Sequence, residues 1–129
     1  MKKGIFKILL ISHILLLIVG CSEDNNSDKI IDNIEQTHWK GTFQNADGVY
    51  DITIVFSSVK NGYYILDRDK EQDSFSYNKD GKIIHISCFD IGFLNGDWWI
   101  YKLTEDEFIL KQNPYEENIS CMLNLKRIY

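Results

Sequence analysis

The sequence predicts an all-β chain: an antiparallel meander β-barrel of about eight strands, preceded by a signal peptide and a short flexible tether. Three observations carry this reading. From Trp39 onward apolar residues recur at every second position, as when Ile52, Ile54 and Phe56 alternate with Asp51, Thr53 and Val55. That is the spacing of half-buried antiparallel strands. The dipeptides Asp47-Gly48, Asn61-Gly62, Asp80-Gly81 and Asn95-Gly96 punctuate these runs, and each can supply the positive φ angles of a tight hairpin. The longest apolar stretch lies at the N-terminus, outside the alternating region.

That stretch has the parts of an export signal. Lys2, Lys3 and Lys7 form a basic start, and Ile8 to Val19 is a twelve-residue run interrupted only by Ser12 and His13. A membrane-spanning helix needs about 20 apolar residues, so residues 1–20 read as a cleavable signal peptide. The segment Leu17-Ile18-Val19-Gly20-Cys21 resembles the lipobox of bacterial lipoproteins. The resemblance implies cleavage after Gly20, diacylglycerol on the Cys21 thiol and acylation of the new amine. One acyl chain binds a membrane only marginally, at about 0.8 kcal/mol per buried methylene, whereas two or three together form a lasting anchor. The alternative is an ordinary secreted protein with a chance cysteine near its cleavage site.

Residues 21–36 follow as the lipidated cysteine, an acidic tether and a short helical turn. Ser22 to Lys29 is polar and acidic, so it has nothing to bury. Glu23 and Asp24 stand where some Gram-negative lipoproteins carry a surface-export signal. The expected location is therefore the outer membrane, on its periplasmic or cell-surface face. Asp28 can cap a helical turn that sets Ile30, Ile31 and Ile34 on one side. Such a segment is too short to be stable alone but suited to covering one end of a domain.

The domain at 37–129 divides into candidate strands at about 38–45, 49–57, 61–67, 73–78, 82–89, 97–103, 106–112 and 118–128. Later strands repeat the alternation, with Ile84, Ile86 and Cys88, then Ile119, Cys121, Leu123 and Leu125. Asn113-Pro114 breaks the chain once more, and this proline lies outside the strand runs. Connections this short favour pairing of sequence neighbours. Closing the sheet removes its free edges, whereas a two-sheet sandwich wants longer crossing connections. A barrel of this size is either filled by side chains or just able to hold one small ligand.

Trp39-Lys40-Gly41-Thr42-Phe43, Ile52-Thr53-Ile54-Val55-Phe56 and Trp98-Trp99-Ile100-Tyr101-Lys102-Leu103 followed by Phe108-Ile109-Leu110 resemble small lipocalin-like lipoprotein domains. The resemblance spans residues 37–129 and implies a meander barrel. Lipocalins carry Gly-x-Trp in the first strand, where this chain has Trp39-x-Gly41, so a transport function does not carry over residue by residue.

Composition narrows the partners. Without residues 1–20 the chain keeps 11 Lys+Arg against 19 Asp+Glu, a net charge of about −8. That balance speaks against nucleic acid, whose phosphates demand Lys and Arg. No cofactor is implied. His38 and His85 are isolated, and no Cys-x-x-Cys occurs, so a zinc site lacks its ligand set. Asp67, Asp69, Glu71 and Asp73 alternate as calcium ligands can. Gln72 takes the place where an EF-hand-like loop wants glycine, so a solvated hairpin tip is the simpler reading. Neither Gly-x-Ser-x-Gly nor a Cys/His signature is present, and carboxylates such as Glu105/Glu107 and Glu116/Glu117 fall in expected turns. An enzyme is not expected.

Cys88 and Cys121 remain as a possible disulfide in an oxidising compartment, or as two buried thiols. The aromatics are the strongest lead. Neighbouring pairs such as Tyr63/Tyr64 and Trp98/Trp99 must place one ring on each face of the sheet. The apolar segment Phe89 to Asn95 suits a lid at the barrel mouth or an interaction patch. Tyr64, Phe93, Leu94, Trp98, Trp99 and Tyr101 are the candidate contacts. The expectation is a lipid-anchored barrel that binds a small apolar or aromatic-stacking ligand. The alternative is a filled barrel that serves as an inhibitor or accessory subunit of an envelope complex.

Overall fold

The structure is a computed structural model and describes residues 31–89, 92–113 and 121–129. The signal peptide, Cys21, Asp28 and Ile30, as well as Pro114 to Ser120, lie outside the described residues. Eight strands form one closed antiparallel barrel in sequence order: β1 (Thr37–Asn45), β2 (Gly48–Phe56), β3 (Asn61–Leu66), β4 (Gln72–Asp80), β5 (Ile83–Cys88), β6 (Gly96–Leu103), β7 (Glu107–Lys111) and β8 (Met122–Arg127). The pairing of β1 with β8, from Trp39 opposite Arg127 to Gln44 opposite Met122, closes the sheet and excludes a sandwich.

Alternation decides which side chains enter the barrel. Ile52, Ile54 and Phe56 from β2, Ile84 and Ile86 from β5, and Leu123 and Leu125 from β8 are buried. Trp39, Phe56, Phe75, Tyr77 and Phe108 interlock as tilted or edge-on ring pairs with centroids 5.0–6.1 Å apart. Such geometry suits ring quadrupoles and fills space densely. Trp39, Ile52, Ile54, Phe56, Ile84, Trp98, Phe108, Leu110, Leu123 and Leu125 are each 0% exposed. No water-sized space therefore borders them, and the barrel axis along these residues is occupied by side chains.

The two ends differ. One has short connections at Ser57–Lys60, Gly81–Lys82 and Thr104–Asp106, and the chain also enters and leaves the barrel there. Residues 31–36, the described part of the expected helical turn, run as a bend and turn with Gln36 at φ 58°. This strap still covers the end, with Ile34 buried in the core and Ile31 packed against it. A relay pins it: Trp39 Nε1 donates to Thr37 Oγ1 (2.7 Å), and that hydroxyl donates to the Ile34 carbonyl. Tertiary burial of two isoleucines replaces helix hydrogen bonds that so short a segment cannot sustain.

The opposite end carries the connections 67–71, 89–95 and 112–121, with only the β1–β2 hairpin short. In that hairpin Asn45 pairs with Gly48 (φ 150°), and Asn45 Oδ1 accepts the amides of Asp47 and Gly48. Gly81 (φ 58°) turns the β4–β5 hairpin, as expected. Asn61-Gly62 does not turn the chain. Both residues belong to β3, and Gly62 pairs with Phe56 and Phe75. Its lack of a side chain serves packing, because a Cβ there would lie 2.5 Å from the Phe75 ring.

Candidate functional site at the long-loop end

Residues 92–95, ahead of β6, fold over the barrel mouth. Asn95 Oδ1 accepts the Cys88 amide (3.2 Å), the Asn95 amide reaches the Gly92 carbonyl (3.2 Å), and Gln112 Nε2 donates to the Asn95 carbonyl (3.0 Å). These bonds turn Leu94 inward to full burial, and Trp98 Nε1 donates to its carbonyl (2.8 Å). Phe93 stays at the rim, 36% exposed. Its ring meets Phe43 edge-on at 5.7 Å and Tyr50 at 6.1 Å. Arg68, from the β3–β4 connection, sets its guanidinium 5.1 Å from the Tyr50 ring centre and 5.4 Å from that of Phe93. Residues 92–95 thus form a seated lid, latched by one cation against two rings.

Beside the lid is a cleft of about 200 Å³ lined by Tyr64, Gln72, Asp73, Ser74, Cys88, Phe89, Gly92 and Phe93. Register builds it: Tyr64 on β3 lies opposite Asp73 on β4, and Phe75 opposite Cys88 brings β5 to the same edge. The Tyr64 hydroxyl donates to the Asp73 carboxylate and accepts the Phe93 amide. Burial pushes its pKa up to about 12, and the Asp73 charge adds to the effect. Gly92 is needed for contact, since a Cβ there would meet Cys88 Sγ at 2.7 Å and the Tyr64 hydroxyl at 3.1 Å. The Leu94 amide donates to the Cys88 thiol, but burial outweighs that bond and raises the thiol's pKa. A protonated, half-buried thiol is a poor nucleophile. Around the corner, on the outer wall, a shallower groove of about 440 Å³ shares Ser74, Cys88 and Phe89 with the cleft.

The structure brings four expected contact residues to this end and leaves two elsewhere. Tyr64 lines the cleft, Phe93 forms its rim, and Leu94 and Trp98 lie beneath the lid. Leu94 is therefore no part of an exposed patch; it plugs the mouth, because its carbonyl is tied to the Trp98 indole. Trp99 is half-buried and Tyr101 is exposed beneath the Lys111 ammonium, 4.3 Å from its ring centre. Cys88 and Cys121 are free thiols. Between β5 and β8 lie β6 and β7. Three interstrand steps of about 4.8 Å along the sheet exceed the roughly 7 Å limit on Cα separation in a disulfide.

The other candidates take ordinary places. His85 pairs with Asp97 on the outer wall (2.5 Å), and His38 packs edge-on against Tyr129. Asp67 lies 4.0 Å from Lys40, and Asp69 pairs with Arg68. No group of three or more His, Cys, Asp or Glu side chains among the described residues is placed to hold a metal. No helix among them is long and apolar enough to cross a membrane.

Sequence reasoning weighed Asp73 only as part of a calcium run or solvated hairpin tip and Cys88 as half of a bridge or a buried thiol, and it did not single out Gly92 or Arg68. The β3–β4 register that sets Tyr64 against Asp73 is invisible without the fold. The chain matches no family model, no curated protein and no solved structure.

Proposed function

We propose that the chain is a cell-envelope lipoprotein with a lipocalin-like barrel, held by lipid on Cys21, that binds a small aromatic-stacking ligand at its mouth rather than along its axis. The observation that carries the reading is the contrast between an axis filled by side chains and a cleft of about 200 Å³ at the long-loop end. The cleft offers the Phe89 and Phe93 rings for stacking, and Tyr64, Gln72, Asp73 and Ser74 as polar groups for orientation. Burial raises the pKa of the Cys88 thiol and so weakens it as a nucleophile, which fits binding better than turnover. The lipobox-like Leu17-Ile18-Val19-Gly20-Cys21 and the acidic Glu23-Asp24 support an outer-membrane anchor, on the periplasmic or cell-surface face. The strap enters at the barrel end opposite the cleft, which leaves the mouth free to point away from the tether.

Native mass spectrometry of the full-length protein, released in mild detergent from its own host, tests this reading. The expected result is a retained mass beyond the acyl chains that is lost in Phe93→Ala. A protein that keeps no extra mass, or keeps it unchanged in Phe93→Ala, contradicts ligand binding at the mouth. Fatty-acid labelling of Cys21→Ser tests the anchor separately, and label retained by that variant would contradict it.

A second reading, a protein-contact rim, is favoured by one observation. Phe89 is 99% exposed at the same end. A large ring left fully in water is the residue type that anchors partners.

A further inference from the structure

We propose that the cleft between Tyr64, Asp73, Cys88 and Phe93 binds a small organic ammonium ion, with Asp73 as counter-ion and the Phe93 and Phe89 rings as walls. This deepens the mouth-binding reading above and rests on it. Among the described residues, Asp73 is the one carboxylate lining the cleft, and no lysine or arginine lines it. The Tyr64 hydroxyl donates to Asp73. That neutral donor orients the carboxylate without cancelling its charge. A carboxylate beside aromatic faces is the arrangement that recognises alkylated ammonium groups.

Other ligand classes fit less well. An anion would meet the Asp73 charge with only the Gln72 amide and the Ser74 hydroxyl as side-chain donors among the lining residues, besides the thiol and the Tyr64 hydroxyl already given to Asp73. A hard metal ion wants six to eight oxygens, and the described residues hold no cluster of that kind. A long acyl chain needs the axis, which is filled. The space of about 200 Å³ equals roughly six or seven waters at about 30 Å³ each, which suits a compact head group.

One further observation agrees with a cation. The chain carries a net charge of −5, and a cleft with low-dielectric walls concentrates counter-ions from such a field. The ammonium can come from a free amine or from a lipid head group; the chemistry is shared.

Amide-resolved NMR titration of the full-length protein in neutral detergent with choline, and with its uncharged isostere 3,3-dimethylbutanol, tests the proposal. Choline is expected to give saturable shifts at Asp73, Gly92 and Phe93 at millimolar concentration. The neutral isostere and the Asp73→Asn variant are each expected to bind about tenfold more weakly. Asp73 is exposed, so its replacement should leave the remaining amides in place, and their unchanged positions verify the fold. Vesicles of phosphatidylcholine compared with phosphatidylglycerol assign the source: shifts with the former but not the latter point to a head group, and shifts with choline alone to a free amine. Equal binding of choline and the isostere overturns the ammonium proposal while leaving mouth binding intact. No saturable shift with either probe overturns the ammonium proposal, and the retained mass described above then judges mouth binding by itself.

Discussion

Tyr64 is the residue on which the mouth depends. It is 2% exposed, yet its hydroxyl reaches the cleft, donates to Asp73 and accepts the Phe93 amide. Its folded pKa of about 12 lies above the ordinary 10.0, so the unfolded chain loses this proton first. The stabilisation is complete below pH 10 and is lost as pH rises towards 12, by at most about 3 kcal/mol and less where the hydroxyl borders solvent. Urea midpoints at pH 8 and pH 11 should fall more steeply for the wild type than for Tyr64→Phe. Parallel declines would mean that this hydroxyl is not held as described. The alternation of β3 was enough to say that one of Tyr63 and Tyr64 points inward. It could not say that Asp73 waits opposite, because the 67–71 connection sets that register by lifting Lys70 to φ 55°. The role of Arg68 was equally hidden, since its two ring partners come from β2 and from the lid.

At the scale of elements, two glycines show how the sheet is assembled. Gly41 lies on the seam between β1 and β8, where a Cβ would meet the Asn124 carbonyl oxygen at 2.0 Å and the Leu125 Cα at 2.9 Å. At Gly62 the obstacles are the Val55 carbonyl oxygen at 2.4 Å and the Phe75 ring at 2.5 Å. The ring can rotate away in part, whereas the seam is backbone on both counts. Gly41→Ala should therefore cost more than Gly62→Ala, with Gly62→Ala at about 1–3 kcal/mol, both read from urea midpoints at an unchanged slope. A smaller cost at Gly41 would mean that the barrel is not closed there so tightly. The same two positions mark where sequence reading succeeds and fails. Alternation placed all eight strands to within a few residues over the described chain, because a sheet with one buried face writes its period into the sequence. The turn dipeptides misled at Asn61-Gly62, since a glycine required for close packing looks like one required for positive φ. At the strap, the described residues 31–36 bend instead of coiling, because isoleucines at helical spacing fit equally well a bent segment that buries Ile34 and packs Ile31 against the core.

For the whole molecule, the polarity of the barrel ties structure to the proposed role. Short turns, both described chain ends and the strap lie at one end, and the lid, its Arg68 latch and the cleft lie at the other. The long apolar chains that a hollow barrel of this size can hold are excluded from the axis by Trp39, Phe56, Phe108 and their neighbours. Recognition is left to the rim. The three tryptophans happen to report on this division: Trp39 stands at the strap end, Trp98 under the lid and Trp99 on β6 with its ring half-buried. Titration of the full-length protein with laurate, followed through the three indole N–H resonances, is the most direct measurement. A filled axis leaves the Trp39 and Trp98 signals unmoved while the fold persists. Saturable shifts of both indoles would show that the barrel admits a chain along its axis, and would contradict the account.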